Sequence, residues 1–299
     1  MRRDEREGVA RRASAVARAA ADTATSATAG RGSADEVASP EDFLVRGELT
    51  ARDARELERL KRQIRRATGR LCHCYKERGL RRRLAVRMRA RGVHRYGEYA
   101  RILRREPEEY EELVRQLTIH VSRFFRNPEV WDAVAERVLP ELFAVDSPTV
   151  PIWSVGAAGG EEPYTLAILL ASYAETHGLE PRLDRFRILA TDVDAEVIEA
   201  ARRAEYDAAA LQEVPAEVRE RWFEGGPPWR PIRAVRELVE FRRADVLSMA
   251  FPSAVRLIVC RNLTIYLDRE VQPVLYDRFH EALAPRGFLV LGKVETILG

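Results

Sequence analysis

Apolar positions along the chain follow three successive patterns. Residues 1–40 have none: they are rich in Ala, Arg, Ser, Thr and Gly, with no aromatic residue and hardly a large aliphatic one. Such a stretch buries too little surface to offset the loss of chain entropy, so a disordered tail is expected, with at most a transient helix over Val9 to Ala21. From 41 to 117 the apolar residues recur at three- and four-residue spacing. Leu57, Leu60 and Ile64 form one stripe, Gly69 a stop, and Leu80, Leu84 and Met88 a second stripe. Gly92, Gly97 and Pro107 then separate two shorter helices, Tyr96 to Arg105 and Glu108 to Ile119. This predicts an all-helical N-terminal domain.

From 118 to 299 short apolar runs alternate with helical stripes. Asn127 is placed to cap a helix with Pro128 at its first position, running to about Leu142. The run Val150 to Val155 reads as a strand that breaks into Gly156, Ala157, Ala158, Gly159 and Gly160, after which Glu161-Glu162-Pro163 opens a helix ending at Gly178. Phe186 to Ala190 is a second strand, closing on Thr191-Asp192-Val193-Asp194, with Asp194 as the cap of a helix over Ala195 to Ala204. Strand Val255 to Cys260, a helix from Asp268 to Leu283 and strand Phe288 to Leu291 complete the alternation, which predicts an α/β fold. Residues 205–243 interrupt it. A helical piece, Ala216 to Trp222, then Gly225-Gly226-Pro227-Pro228 and the β-like runs Trp229 to Val235 and Leu238 to Phe241, predict a small antiparallel β-subdomain inserted in the core.

Composition changes this picture at three points. The 46% apolar content over 299 residues is ample for a large core. No apolar run is long enough to cross a bilayer and no basic-then-apolar leader opens the chain, so a soluble cytoplasmic protein without membrane insertion is expected. The net charge of +3 hides an asymmetry: residues 51–100 hold 17 Arg or Lys against 5 Asp or Glu, while 101–299 hold 25 against 33. Arg78, Arg82 and Arg89 lie opposite the second apolar stripe, and such a basic face is either solvated or docks an acidic partner. Nucleic acid is not the expected partner, because Tyr75, Tyr96 and Tyr99 are sparse and no nucleic-acid-binding motif is present. Three cysteines form no disulfide framework, and Cys72-His73-Cys74 lacks a second ligand pair at zinc spacing, so no metal is expected.

Candidate chemistry collects where strands end. A turn of small residues after a strand lets backbone approach a ligand. The Glu161-Glu162 pair at the following helix start disfavours phosphate and suits a cation or hydroxyl groups. An acid at the end of the second strand, Asp192, can accept from the two hydroxyls of a ribose. The stretch TIHVSRFFR, Thr118 to Arg126, offers His120, Ser122 and Arg126 beside an aromatic anchor, although an ordinary interdomain connection fits it equally. Arg261-Asn262 and Tyr266 follow the strand that ends at Cys260, and Asp245-Val246 lies where such sheets often contact a base or sugar.

Taken together, these stretches resemble the bacterial chemotaxis-receptor glutamate methyltransferases, the CheR family, over roughly residues 45 to 299. The matching segments are His120 to Arg126, Trp153 to Tyr164, Ala190 to Asp194, Cys260 to Tyr266 and Gly287 to Glu295. The resemblance implies a Rossmann-like core with a small β-subdomain behind an N-terminal all-α domain. It implies S-adenosyl-L-methionine as cofactor, S-adenosyl-L-homocysteine as product, and a glutamate on the cytoplasmic helical domain of a chemoreceptor, or a related acidic protein, as substrate. It further implies a division at about residue 118 between helical and methyltransferase domains. Asp192 would hold the ribose and Glu161 the cationic methionine end. Arg126 would pair with the methionine carboxylate or orient the incoming glutamate, and Tyr266 would border the methyl group. Gly156, His120, Ser122, Asp245, Val246, Arg261 and Asn262 would complete the cofactor contacts.

The chain departs from the family pattern at several positions: His120 and Ser122 stand for Asn and Thr, Ala158 and Gly159 for Ser and Thr, and Lys293-Val294 for His-Ser. It also stops at Gly299, earlier than the family's domain normally does. Two other classes of function are compatible with these residues. One is a homologue that binds the cofactor or its product without transfer; the other is a methyltransferase acting on nucleic acid or a small molecule.

Overall fold

A computed structural model describes residues 49–68, 74–117 and 122–297. The tail over 1–40, His120 and most of the Cys72-His73-Cys74 cluster lie outside the described residues. Two compact units emerge: a helical one, to which residues 265–274 also belong, and an α/β one formed by the rest of the chain from 122 on.

The helical unit contains α1 (Ala51–Thr68), α2 (Glu77–Ala90), α3 (Tyr96–Arg105) and α4 (Glu109–Leu117). Its core joins the two expected stripes, Leu57, Leu60 and Ile64 with Leu80, Leu84 and Met88, to Tyr96, Tyr99, Leu103, Leu113 and Leu117. One acid is enclosed with them. Glu109, 2% exposed, accepts from Arg87 Nε (3.0 Å) and Nη2 (2.8 Å) and from the Tyr99 hydroxyl (2.8 Å). These bonds hold the carboxyl below its ordinary value although burial alone would raise it. Residues 265–274 join this unit through backbone bonds, Lys76 N–H to Tyr266 O (2.9 Å) and Asp268 N–H to Cys74 O (2.8 Å). A linear division at residue 118 does not contain these pairings, because their partners are nearly two hundred residues apart in the chain.

The α/β unit begins with α5 (Pro128–Ala133), which runs through one π-helical turn, Val134–Val138, into α6 (Leu139–Ala144). Leu139 N–H reaches back to Val134 O, and Pro140, which has no N–H to donate, follows it. Asn127 holds the expected N-cap position before Pro128, but its side chain does not cap the helix. It sits at φ 60° and ψ 73° with no side-chain capping bond, and its Oδ1 accepts from Arg261 Nη2 (3.1 Å).

The core elements follow in order: β1 (Val150–Val155), α7 (Glu161–His177), β2 (Phe186–Asp192), α8 (Ala195–Arg203), α9 (Ala216–Trp222), β3 (Phe223–Gly225), β4 (Trp229–Pro231), α10 (Arg233–Arg236), β5 (Val239–Arg243), β6 (Val255–Cys260), α11 (Val271–Ala282) and β7 (Leu283–Leu291). The main sheet is parallel throughout, in the order β5-β2-β1-β6-β7. Its central strands β1 and β6 are mostly apolar, VPIWSV and VRLIVC, because both faces are covered. The first strand is central, and the chain winds to one side through β2 and β5 and then to the other through β6 and β7. The order therefore reverses between β1 and β6, where such sheets open a crevice at their carboxyl edge.

The expected 205–243 insertion is smaller than the sequence suggests. Only β3 and β4 form an antiparallel ribbon, while the run Leu238 to Phe241 belongs to β5, an edge strand pairing parallel with β2 from Ile188↔Val239 to Asp192↔Arg243. A short β-like run does not encode its partner. What commits this one is Phe241, buried against Tyr164 with ring centroids 5.3 Å apart. The run Trp229 to Val235 is likewise split, ending as a strand at Pro231 and turning into α10. Among the described residues no helix is long and apolar enough to cross a membrane.

Candidate active site at the carboxyl edge of the sheet

A parallel sheet brings all its strand ends to one edge, so the turns after β1, β2, β5 and β6 share a neighbourhood. The turn after β1 is tied to the end of β2: Gly156 and Ala157 N–H both donate to Thr191 O (2.8 and 2.9 Å). Two glycines in it are sterically required. Gly156 has φ +78°, and a Cβ there would lie 2.8 Å from Leu263 Cδ1. Gly160 has φ +95°, and its Cβ would meet the Tyr206 hydroxyl at 2.8 Å and Ala201 Cβ at 3.1 Å. The Tyr206 hydroxyl donates to Gly159 O (2.7 Å), fixing the turn from outside.

Asp192 ends β2, 8% exposed, and orients this turn. Its Oδ2 accepts from Ala158 N–H (3.0 Å) and its Oδ1 from Asp194 N–H (3.1 Å). Asp194 caps α8, its Oδ1 accepting from Glu196 N–H (3.0 Å). The backbone of β5 continues this edge, Ala244 N–H donating to Asp192 O (2.8 Å); half-buried Asp245 and buried Val246 follow, with Leu247 N–H on Asp245 Oδ1 (2.9 Å).

The two glutamates at the start of α7 have different environments. Glu161 is 9% exposed and folds back over the turn, so that a Cβ at Gly159 would fall 2.9 Å from its Oε1. The missing side chain at 159 and the position of Glu161 are thus sterically coupled. Glu162 points into the protein, where Oε1 accepts from Ser154 Oγ (3.1 Å) and Oε2 lies 3.5 Å from Arg261 Nη1. Burial pushes the Glu162 carboxyl up to about 7, against the pull of Arg261 and Ser154.

Arg261, expected at the cofactor, is turned inward. Its side chain is 2% exposed and stacks over Trp131 at 4.9 Å, and Nη2 donates to Arg126 O (2.7 Å) as well as to Asn127. Burial lowers its pKa from the ordinary value, opposed by Glu162. This guanidinium therefore joins the start of α7 to the segment carrying Arg126. That segment is further held by buried Phe124 and Phe125, whose N–H groups donate to Ala210 O (3.1 Å) and Thr165 Oγ1 (3.0 Å), and by Trp131 Nε1 on Arg126 O (3.1 Å). Ser122 is half-buried two residues before this pair.

Glu295, the last residue of the Gly287 to Glu295 segment, has its role set by distant backbone. One oxygen accepts from Leu263 N–H (3.0 Å), Thr264 N–H (2.7 Å) and Thr264 Oγ1 (2.7 Å), the other from Asn262 and Gly292 N–H (both 2.7 Å). This carboxylate fixes the turn after β6, where Asn262 has φ 57°. Tyr266 lies beyond that turn and belongs to the helical unit, where Arg83 stacks over its ring at 4.9 Å. Among the described residues no cluster of His, Cys, Asp and Glu suits a metal ion.

This edge fits a cationic nucleoside. Its small-residue turn admits close approach, and Asp192 at the end of β2, Asp245 after β5 and Glu161 at the start of α7 present carboxylates, acceptors suited to hydroxyl and positively charged groups. Comparison with known proteins agrees. The profile described as "CheR methyltransferase, SAM binding domain" matches residues 120–299, and "CheR methyltransferase, all-alpha domain" matches residues 55–118. A chemotaxis protein methyltransferase of Listeria monocytogenes is 32% identical over 238 residues, covering 79% of this chain and 88% of the relative. Chemotaxis protein methyltransferase 2 of Pseudomonas aeruginosa is 32% identical over 223 residues, 72% of this chain and 77% of its own. The Salmonella typhimurium chemotaxis protein methyltransferase is 31% identical, covering 72% and 74%. With its α/β core, its helical unit and both profiles matched in sequence order, the chain belongs to the CheR methyltransferase family, and S-adenosylmethionine is its cofactor.

Proposed function

We propose that this protein forms methyl esters on glutamate side chains of the cytoplasmic helical domain of chemoreceptors. The observation that carries the reading is the convergence of the small-residue turn, Asp192 and the clasped Arg126 segment within a unit matched by the family profile. The bound cofactor supplies a methyl group activated by a positive sulfonium. The acceptor carboxylate is already ionised at neutral pH, so the protein needs no general base, only alignment and exclusion of water.

In this reading Asp192 accepts from the ribose hydroxyls and Glu161 faces the cationic methionine end. Gly156 keeps the turn open to the ligand, Asp245, Val246 and Asn262 frame the adenosine, and Ser122 and His120 contribute from the preceding segment. Arg126 binds a carboxylate, that of the methionine or of the incoming glutamate. Arg261 acts as a positioning residue, holding the Arg126 backbone. The assignment of Tyr266 to the methyl group rests on the family resemblance. Exposed Arg78, Arg82 and Arg89 on α2 supply the face for an acidic helical substrate.

Labelled methyl transfer to purified receptor cytoplasmic domains tests the reaction. A base-labile, volatile product is expected, whereas cofactor binding without transfer would leave a binding protein. Replacement of Asp192 by Ala is expected to abolish cofactor binding in calorimetry. Unchanged affinity would remove the ribose assignment.

A further inference from the structure

We propose that the helical unit carries a second ligand site, for a polyphosphorylated small molecule, in the cleft between α1 and the corner joining α3 to α4. The cleft is open to solvent and has a volume of about 570 Å³, and Arg59, Arg62, Gln63, Arg66, Arg104 and Tyr110 line it. Positions 59, 62, 63 and 66 recur at three- and four-residue spacing and so share one face of α1. Arg104, in the last turn of α3, and Tyr110, in the first turn of α4, form the opposite wall.

The walls are joined by one amide. Gln63 Nε2 donates to Ala100 O (2.9 Å) and to the Tyr110 hydroxyl (2.8 Å), and its Oε1 accepts from Arg104 Nη1 (2.9 Å). Arg104 is thereby held at the cleft before any ligand arrives.

What distinguishes this cleft within the unit is that four arginines line one concavity. Some arginines elsewhere in the unit are matched by acids: Arg52 with Glu56, Arg87 with Glu109, Arg91 with Glu106. Among the described residues, Arg59, Arg62, Arg66 and Arg104 have no carboxylate within ion-pair distance. Four guanidinium groups facing one cleft repel one another, and a ligand of several negative charges relieves that repulsion. The planar fork of arginine fits the paired oxygens of phosphoryl groups. The volume falls within the range of roughly 300–1,000 Å³ typical of small-molecule sites. An acidic protein helix needs a longer, flatter surface, since the span from Arg59 to Arg66 covers only about 10 Å of helix. Arg78, Arg82 and Arg89, proposed above to meet the protein substrate, lie on α2 and line no part of the cleft. The site is independent of the methyl-transfer reading.

The test is calorimetric titration of inorganic tripolyphosphate into the full chain at physiological salt, with S-adenosylhomocysteine saturating so that the adenosine site does not compete. One tripolyphosphate per chain is expected. Affinity should fall roughly tenfold or more in Arg62→Gln/Arg66→Gln, from the loss of charge-assisted bonds. It should be unchanged in the charge-matched Arg78→Gln/Arg82→Gln. All four positions are exposed, and circular dichroism checks that the variants keep their helices. Equal losses in both double variants would mean diffuse attraction and overturn the site, as would the lack of saturable binding. Displacement of tripolyphosphate by a glutamate-rich peptide of equal affinity would turn the cleft into a protein-docking surface and equally overturn it.

Discussion

Glu162 is the residue whose environment has the clearest consequence for stability. Its carboxyl is raised from 4.5 to about 7, chiefly by burial. The folded state then binds the proton more tightly than the unfolded chain, so this contribution to stability is complete below about pH 4.5. It is lost as pH rises from there to about 7, and is level above. A shift of this size corresponds to roughly 3 kcal/mol. Urea unfolding at pH 5 and pH 8 should show that difference shrinking in Glu162→Gln; an identical pH slope in both proteins would remove the assignment. In Arg261→Met the loss should extend to higher pH, because the guanidinium is the largest influence holding the carboxyl down. Glu295 acts on backbone instead. Its replacement by Ala leaves four amides, at 262, 263, 264 and 292, without their acceptor, and should cost roughly 2–4 kcal/mol by chemical denaturation. Weaker cofactor binding should accompany that loss, since the Asn262 turn loses its brace.

Among the elements, the turn between β1 and α7 is the most constrained. Gly160→Ala places a methyl group 2.8 Å from the Tyr206 hydroxyl at φ +95°, and should destabilise the protein by roughly 2–4 kcal/mol, measured by urea unfolding. Adding Tyr206→Phe should recover only part, because the backbone strain persists when the clash is removed. Full recovery would show that φ at this position is not strained. This turn was legible in the sequence, since five small residues between an apolar run and Glu161 leave few alternatives. Its supports were not. Tyr206 and Asp192 reach it from 47 and 34 residues away, and Arg261 reaches Arg126 across 135 residues. Such hydrogen bonds leave no periodic trace in the chain.

For the whole molecule, the separation of charge is the property that governs association. The excess of arginine over acid in residues 51–100 predicts fast, salt-sensitive encounter with an acidic partner. Arg78→Glu/Arg82→Glu should lower kcat/KM for receptor methylation about tenfold or more at low salt, with the affinity for S-adenosylmethionine unchanged in calorimetry. A loss of both together would mean that the substitutions disturb the fold rather than the docking face.

The amino-acid sequence by itself determined the local features: the apolar stripes of the helical unit, the β1 and β6 runs with their boundaries, the glycine turn, and the Asp194 cap of α8. These follow from periodicity, backbone sterics and capping, which act within a few residues. Tertiary structure alone decided that Val239–Arg243 joins the parallel sheet and that residues 265–274 pack with the helices. It decided also that Arg261 faces inward, that Asn127 receives a bond rather than capping, and that Glu295 closes the turn after β6. In each case the energy comes from a partner brought close only by the tertiary fold, and an ion pair, a strand edge or an amide acceptor carries no mark in the sequence of which distant group will satisfy it.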